Sequence, residues 1–251
     1  MIDKKLIEHR FATHFATYNN HAKVQEEICV RLSSHIKECH IAPKTALEIG
    51  AGTGFLTKHL LTAFPTCLWY LNDLTPKAHT YLEKIRIETG ATAQYMFGDA
   101  ENMHFSEQID LITSASTIQW FDNIELFLNN LNQKSGSKLA ISTFSTKNFN
   151  EIAKATQTEG LTYPSSLQLQ QWLTTSGYTI DIIETYITVL NFDSPIEVLR
   201  HLKYTGVNAI KAVQWSKREL ENFTARYNKY FKSETGVKLT YNPIIIVATK
   251  K

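Results

Sequence analysis

ALEIGAGTGFLT, residues 46 to 57, decides how the rest of the chain is read. Its first half is a short apolar run, its second a glycine-spaced turn, and the residues from about Phe55 take up helical spacing. Strand, tight turn and helix in that order bring backbone N–H groups to the head of a helix, where glycines let a ligand approach the main chain. The dinucleotide pattern GxGxxG fits in neither frame, because Phe55 and Thr57 stand where its last glycine belongs. The spacing present is ExGxGxG, from Glu48 through Gly50 and Gly52 to Gly54. Taken alone, such a turn is also compatible with a glycine-rich connection that holds no ligand.

Outward from the turn, apolar runs alternate with amphipathic segments. Strands are expected at 68–72 (LWYLN), 92–98 (TAQYMFG), 109–116 (IDLITSAS) and 138–144 (KLAISTF), with helices from Pro76 to Glu88 and from about Asn123 to Leu131. This alternation predicts a parallel sheet covered by helices. Farther on, Thr162 to Ser176 reads as a helix entered through Pro164, residues 179–190 as one long strand, and residues 238–249 as an antiparallel closing strand. Upstream, residues 1–40 read as a helical arm: Ile28, Leu32 and Ile36 recur at spacing four, no Gly or Pro interrupts, and Pro43 ends it. The 194–232 stretch is a helical block that a bare sheet does not need. One domain over 1–251 is expected, with a helical cap (1–42), a Rossmann-like core (43–192 and 233–251) and a helical lid (193–232).

Two acids extend the candidate site. Asp73 ends the second strand about 20 positions after the turn, where a carboxylate can accept both hydroxyls of a ribose. A helix cap is the other use of an acid there. Gly98-Asp99-Ala100 ends the third strand; its carboxylate can take an adenine amino group while a following N–H addresses the ring, and a plain turn is the alternative. The three features follow successive strands and so converge on the carboxyl edge of one sheet, where open α/β folds bind ligands. The candidate cofactor set is Glu48, Gly50, Ala51, Gly52, Gly54, Asp73, Leu74, Asp99 and Ala100, with Ser114 at the end of strand four.

ExGxGxG with these acids resembles the first motifs of class I methyltransferases, which implies an α/β, Rossmann-like methyltransferase fold and S-adenosylmethionine (SAM) as cofactor, leaving as S-adenosylhomocysteine. Methyl transfer from a sulfonium releases a neutral leaving group, so holding two reactants in line supplies much of the acceleration. A carboxylate acceptor, with a pKa of about 4, needs no general base. Thr113-Ser114-Ala115-Ser116 lacks the Asn/Asp-Pro-Pro-aromatic run of amide and adenine N-methyltransferases, and no His–Asp pair stands at an obvious strand end. A carboxylate acceptor is compatible with both absences.

The resemblance is wider than these motifs. Arg10-Phe11, Tyr18, His21 and Gln25 at the start, GDAE (98–101), STIQW (116–120), LRHLKYTGVNA (199–209) and TYNPI (240–244) are together similar to the malonyl-[acyl-carrier protein] O-methyltransferases of biotin synthesis. That family implies methylation of the free carboxylate of a malonyl thioester, carried by acyl-carrier protein or as malonyl-CoA. Tyr18, His21 and Gln25, at spacings of three and four, can cap the methionine end of SAM, or form an ordinary polar helix surface. Gln119 and Trp120 can wall the transfer pocket, although Trp120 with Phe121 also reads as core. Arg200 and Lys203, three apart in the helical block, can orient the acceptor carboxylate. Residues 194–232 hold eight Lys or Arg against three acids, a balance of +5 that suits an acidic carrier and equally a solvated helix face. Another small acid, a phenol or a lipid head group as acceptor, and a binding scaffold without catalysis, are the competing readings.

The whole-chain numbers narrow the class. At 251 residues with 43% hydrophobic residues, the chain can bury one substantial core. A formal charge of +2 does not point to nucleic acid. Cys29, Cys39 and Cys67 have neither disulfide-framework nor zinc spacing, so no metal is expected. The N-terminus lacks a signal-peptide core and no run approaches the roughly 18 apolar residues that span a bilayer, which predicts a cytoplasmic protein without membrane attachment.

Overall fold

In a sheet covered on both faces, neighbouring residues of one strand are buried on opposite sides, and the central runs of this chain are built that way. The computed structural model describes residues 2–105, 108–134, 138–157, 161–206 and 215–251. Strands β1 (Thr45–Ile49), β2 (Leu68–Asp73), β3 (Thr92–Phe97), β4 (Leu111–Ala115), β5 (Lys138–Phe144), β6 (Tyr178–Thr185) and β10 (Pro243–Lys250) form one sheet in the order β3-β2-β1-β4-β5-β10-β6. Strands β1 to β5 pair in parallel, and β10 runs antiparallel between β5 and β6. Mostly parallel with an antiparallel closing strand is the fold class expected from the sequence.

Ala46, Leu111, Ala140 and Ile245 face a core completed by helices α2 (Lys23–Glu38), α3 (Phe55–Ala63) and α4 (Ala78–Thr89). Their neighbours Leu47, Ile112, Leu139 and Ile244 face a second core against α5 (Ile124–Lys134) and α7 (Ser166–Thr175). Ile28, Leu32 and Ile36 are all fully buried, so the spacing of four marks the inner face of α2. A third apolar cluster lies among α6 (Asn150–Thr156), α8 (Pro195–Tyr204), α9 (Lys217–Phe231) and a separate small sheet of β7 (Thr188–Phe192), β9 (Gly236–Tyr241) and β8 (Lys232–Ser233).

The structure departs from the sequence expectation at several places. The N-terminal arm is two helices, α1 (Lys4–His21) and α2, because Ala22 leaves helical geometry at ψ 44°. The helix expected from Pro76 begins at Ala78 after a turn. The helix expected over 162–176 begins at Ser166, where Ser165 and Gln168 form a reciprocal capping box, and residues 161–165 are not helical. Each long terminal strand is two: the 179–190 run divides into β6 and β7 around Tyr186, and the 238–249 run into β9 and β10 at Asn242. Helix α6 lies in a stretch with no expected element.

Candidate functional site

A cleft of about 1030 Å³, part of it open to solvent, lies at the carboxyl ends of β1 to β4, under a roof made by α1. Main-chain hydrogen bonds tie its three loops together: Ala51 N–H donates to the Asn72 carbonyl at 2.9 Å, and Gly98 N–H to the Asp73 carbonyl at 2.9 Å. The Asn72 amide adds bonds to the carbonyls of Met96 (2.9 Å) and Gly98 (3.0 Å). The glycine turn, Asp73 and the Gly98–Ala100 loop are therefore one contiguous surface.

Glycine is required in this turn for more than one reason. Gly54 heads α3 at φ +87°, and a Cβ there would lie 2.2 Å from Ile85 Cδ1 of α4, so its absence lets two helices close up. Gly50, at φ +70°, leaves the same kind of gap for Thr117. Gly52 donates its N–H to Asp73 Oδ2 at 2.8 Å. The other Asp73 oxygen accepts from Thr75 N–H at 3.0 Å, and burial raises this carboxyl to about 6 despite those bonds. Glu48, at the end of β1, accepts the Thr57 hydroxyl at 2.7 Å. Burial pushes Glu48 to about 8, and the charge of Asp73 adds to the effect.

Asp99 sits at the opposite end of the cleft. It accepts from Glu101 N–H (3.2 Å) and Asn102 Nδ2 (3.0 Å), and Lys4 Nζ of α1 stands 3.4 Å away. Lys4 also pairs with Glu101 at 2.6 Å. Glu101 in turn accepts the N–H groups of Asp122 and Asn123 ahead of α5. Leu74 and Ala100 line the cleft beside these acids.

The expected residues divide. Tyr18 and Gln25 line the cleft from α1 and α2; His21, at the break between those helices, stacks instead on Tyr204 of α8 with centroids 4.5 Å apart. Trp120 and Phe121 line the cleft, and Trp120 also packs edge-on against Phe11 at 5.7 Å. Gln119 turns into the protein, where it donates to the Ser116 carbonyl at 2.6 Å and accepts from Thr143 Oγ1 at 3.2 Å. Ser114 is buried and donates to the Ile49 carbonyl at 2.9 Å, holding β4 to β1 rather than facing the cleft. Gly54 likewise stands behind the lining, in the helix contact. Arg200 is exposed and ion-paired with Glu197, and Lys203 is exposed beside His14 of α1; neither lines the cleft. Lys211, with Val207 to Ala209 of the quoted motif, lies outside the described residues.

Ile7, Phe11 and Phe15 of α1 complete the roof and were not singled out as site residues. Their spacing of four, running on to Tyr18, is the sequence signal that could have found them. Among the described residues no group of three or more His, Cys, Asp and Glu could hold a metal ion, and no helix is long and apolar enough to cross a membrane.

A sequence profile for a methyltransferase domain matches residues 46–133. Among solved structures of similar fold are YcgJ of Bacillus subtilis (TM-score 0.63, 13% identity, 88% of this chain and 97% of that one) and magnesium protoporphyrin IX methyltransferase of Synechocystis with bound SAM (TM-score 0.56, 12% identity, 94% and 84%). At those identities the likeness establishes the fold. Sequence relatives reach further. A malonyl-[acyl-carrier protein] O-methyltransferase of Haemophilus ducreyi is 38% identical over 99% of this chain and 97% of its own length. One of Haemophilus influenzae is 32% identical over 98% and 95%. With a class I methyltransferase sheet, a cleft at its carboxyl edge and relatives that match from end to end, the chain belongs to the malonyl-[acyl-carrier protein] O-methyltransferase family.

Proposed function

We propose that this protein transfers a methyl group from SAM to the free carboxylate of a malonyl thioester carried by acyl-carrier protein, giving the methyl ester that opens pimeloyl and biotin synthesis. The observation that carries the reading is the hydrogen-bonded continuity of the glycine turn, Asp73 and the Asp99 loop, in a chain whose full-length relatives bear that name.

The residues fit a nucleoside with an amino-acid tail. Asp73 accepts the backbone N–H groups of Gly52 and Thr75, with that of Leu74 close by, and its carboxylate still has acceptor capacity to offer to a ribose hydroxyl. A Cβ at Gly52 would meet nothing nearer than 3.9 Å, which leaves room over the turn. Gln25 keeps a buried carbonyl oxygen without a partner at the tail end. SAM supplies an electrophilic methyl group whose departure leaves a neutral thioether, so no side chain is needed to protonate a leaving group.

Tyr18 then meets the acceptor. Burial pushes its hydroxyl pKa up, so it stays protonated and donates to a carboxylate rather than removing a proton. Trp120 and the roof residues Phe11 and Phe15 exclude water from the line of transfer. Gln119 supports this wall from behind through the Ser116 carbonyl. Among the described residues no histidine lines the cleft, which suits an acceptor already ionised at pH 7. Lys203, on the seam between α1 and α8, steers the anionic acceptor inward. Lys217 and Arg218 on α9 present positive charge to the carrier, while Arg200 beside them is balanced by Glu197, and the reaction runs in the cytoplasm, where Cys29, Cys39 and Cys67 stay reduced thiols.

The test is to supply labelled SAM with malonyl-carrier protein, malonyl-CoA, and a panel of small acids and phenols, and to measure base-labile methyl ester. Labelling of malonyl-carrier protein above all others is expected. Preferential labelling of a small acid or phenol overturns the acceptor. Folded, ligand-free protein that fails to bind SAM by calorimetry overturns the enzyme reading in favour of a scaffold.

A further inference from the structure

We infer that Ser116 is a catalytic residue of the acceptor side, its hydroxyl donating a hydrogen bond to the acceptor carboxylate from the sheet side of the cleft as Tyr18 does from the roof. The inference rests on the proposed function and names the group that holds the carboxylate oxygen not being methylated.

Two unrelated features meet at this residue. Among the described residues His40, Ser116, Phe149 and Gln157 are the non-glycines with left-handed backbone, Ser116 at φ +52°. The other three turn the chain at the ends of α2 and α6, where such a conformation is common. Ser116 instead follows β4 and lines the cleft, and serine lacks the amide or carboxylate that eases Asn and Asp into that region. Its Oγ is also buried with no hydrogen-bond partner. Neighbouring hydroxyls are engaged: Ser114 donates to the Ile49 carbonyl (2.9 Å), Thr117 to the Ala115 carbonyl (3.1 Å) and Thr143 to Gln119 Oε1 (3.2 Å). Thr113 Oγ1 lacks a partner too, but it lies inside β4 and does not line the cleft. The Ser116 main chain, by contrast, is held on both sides. Its N–H is shared between the Ser142 carbonyl (3.1 Å) and Ser142 Oγ (3.2 Å), and its carbonyl accepts from Gln119 Nε2 at 2.6 Å. A strained backbone is thus gripped by its surroundings while its one side-chain polar group bonds nothing, a combination that belongs to ligand contacts. Turning the hydroxyl about χ1 into the cleft breaks no bond.

The order of the strands assigns the ligand. Along β3-β2-β1-β4 the strand ends carry Asp99, Asp73, the glycine turn and Ser116 in succession. A donor whose nucleoside lies over β3 and β2 brings its far end over β1, and β4 is left to the acceptor. Thr117 fills the space that a Cβ at Gly50 would take, which seats Ser116 at that boundary. The acceptor is an anion, yet Glu8, Asp73 and Asp99 line the cleft, and Lys4, the one cationic side chain among the described residues there, is paired with Asp99 and Glu101. A neutral hydroxyl meets both demands: it holds one carboxylate oxygen and leaves the charge on the other, which attacks the methyl carbon. Ser116 keeps its proton, and no covalent bond to it forms or breaks.

Ser116→Ala removes the hydroxyl and keeps the Cβ, while Ser116→Gly also removes the cost of the left-handed backbone. With malonyl-carrier protein and saturating SAM, both variants are expected to lose about 10- to 100-fold in kcat/KM, as when one hydrogen bond to a charged group is lost. Calorimetric affinity for S-adenosylhomocysteine should stay unchanged. Tm should hold in the alanine variant and rise by about 2 °C in the glycine variant. Activity that falls while stability rises is a pairing that a structural role does not produce. Wild-type turnover in Ser116→Ala overturns the assignment, as does an equal loss of S-adenosylhomocysteine affinity, which would give the hydroxyl to the donor, or a fall in Tm in both variants, which would give it to the fold. Each of those results leaves the proposed function standing, whereas wild-type protein that esterifies no malonyl thioester refutes both.

Discussion

Glu48→Gln is expected to stabilise the ligand-free protein by an amount that grows with pH. Glu48 is 2% exposed, takes one hydroxyl proton from Thr57 and lies within the field of Asp73, so its ionised form is poorly supported. Its carboxyl binds a proton more tightly in the native state (about 8) than at its ordinary value of 4.5. Between those two values the folded chain therefore holds more protons than the unfolded one, and stability falls as pH rises through the window. At about 1.4 kcal/mol per pH unit, the full effect is roughly 3 kcal/mol at pH 7 and about 5 kcal/mol above pH 8. Solvent reaching an open cleft screens the charge, so about half of this is the working expectation. Asp73, raised from 3.8 to about 6, acts in the same direction but finishes near pH 6, which leaves the range from 6 to 8 to Glu48. Gln retains the Thr57 bond through its carbonyl oxygen. Urea unfolding of both proteins from pH 5 to 9 checks the argument: the difference between them starts near zero and widens to about 2 kcal/mol or more by pH 8. A difference that is constant across the range refutes it, because Glu48 would then be ionised throughout. The same carboxyl predicts proton release when a cationic ligand binds near pH 7, read as a buffer-dependent binding enthalpy that Glu48→Gln abolishes.

Gly54→Ala is expected to cost about 2–4 kcal/mol, since it combines φ +87° with a Cβ 2.2 Å from Ile85 Cδ1, while Gly90→Ala, at φ +68° but in open space, costs about 1 kcal/mol; thermal unfolding compares them, and Ile85→Ala should rescue part of the first loss only. Lys4→Met removes the tie between α1 and the Asp99 loop; stopped-flow should show several-fold faster release of S-adenosylhomocysteine with thermal stability nearly unchanged, as fits a partly exposed ion pair, and a wild-type release rate would take Lys4 out of the roof. Reversing charge at Lys217 and Arg218 together should raise KM for the malonyl-carrier protein about tenfold and leave kcat and SAM affinity intact; unchanged steady-state kinetics would remove α9 from carrier docking.

What was legible in the sequence was whatever a single strand or turn specifies by itself. Leu47 and Ala46 are both apolar because both faces of β1 are covered, and such runs stand out without any knowledge of their partners. The turn was legible because close approach at Gly54 and left-handed backbone at Gly52 (φ +57°) favour glycine at fixed positions. Side-chain direction was not. His21 follows Tyr18 by three residues on the same helix and is turned from it around the axis toward α8, whereas Gln25 comes after the break at Ala22, so two of the three face the cleft and the third faces α8. Ser114 has the position of a ligand contact and the partner of a structural one. Arg200 carries its own neutraliser three residues earlier in Glu197, a helical pairing that the sequence already contained.

The divided terminal strands were hidden for a different reason. Exposure alternates without interruption from Thr179 to Phe192, so the pattern that marks a strand continues straight through the point where the chain changes sheets. The division depends on residues distant in sequence: Asn242 donates to the Tyr186 carbonyl (2.8 Å) and to Asn148 Oδ1 (3.1 Å), its carbonyl accepts from Ser145 N–H (2.8 Å), and Pro243, which has no N–H, begins β10. Both segments leave the large sheet at this level and pair again as β7 and β9, with Thr188 opposite Tyr241. Helices α8 and α9 are thus joined to the continuation of the core's own strands rather than to loops at 193 and 232. A rigid movement of this unit that keeps the β7–β9 ladder must pivot at 186–187 and at 242–243.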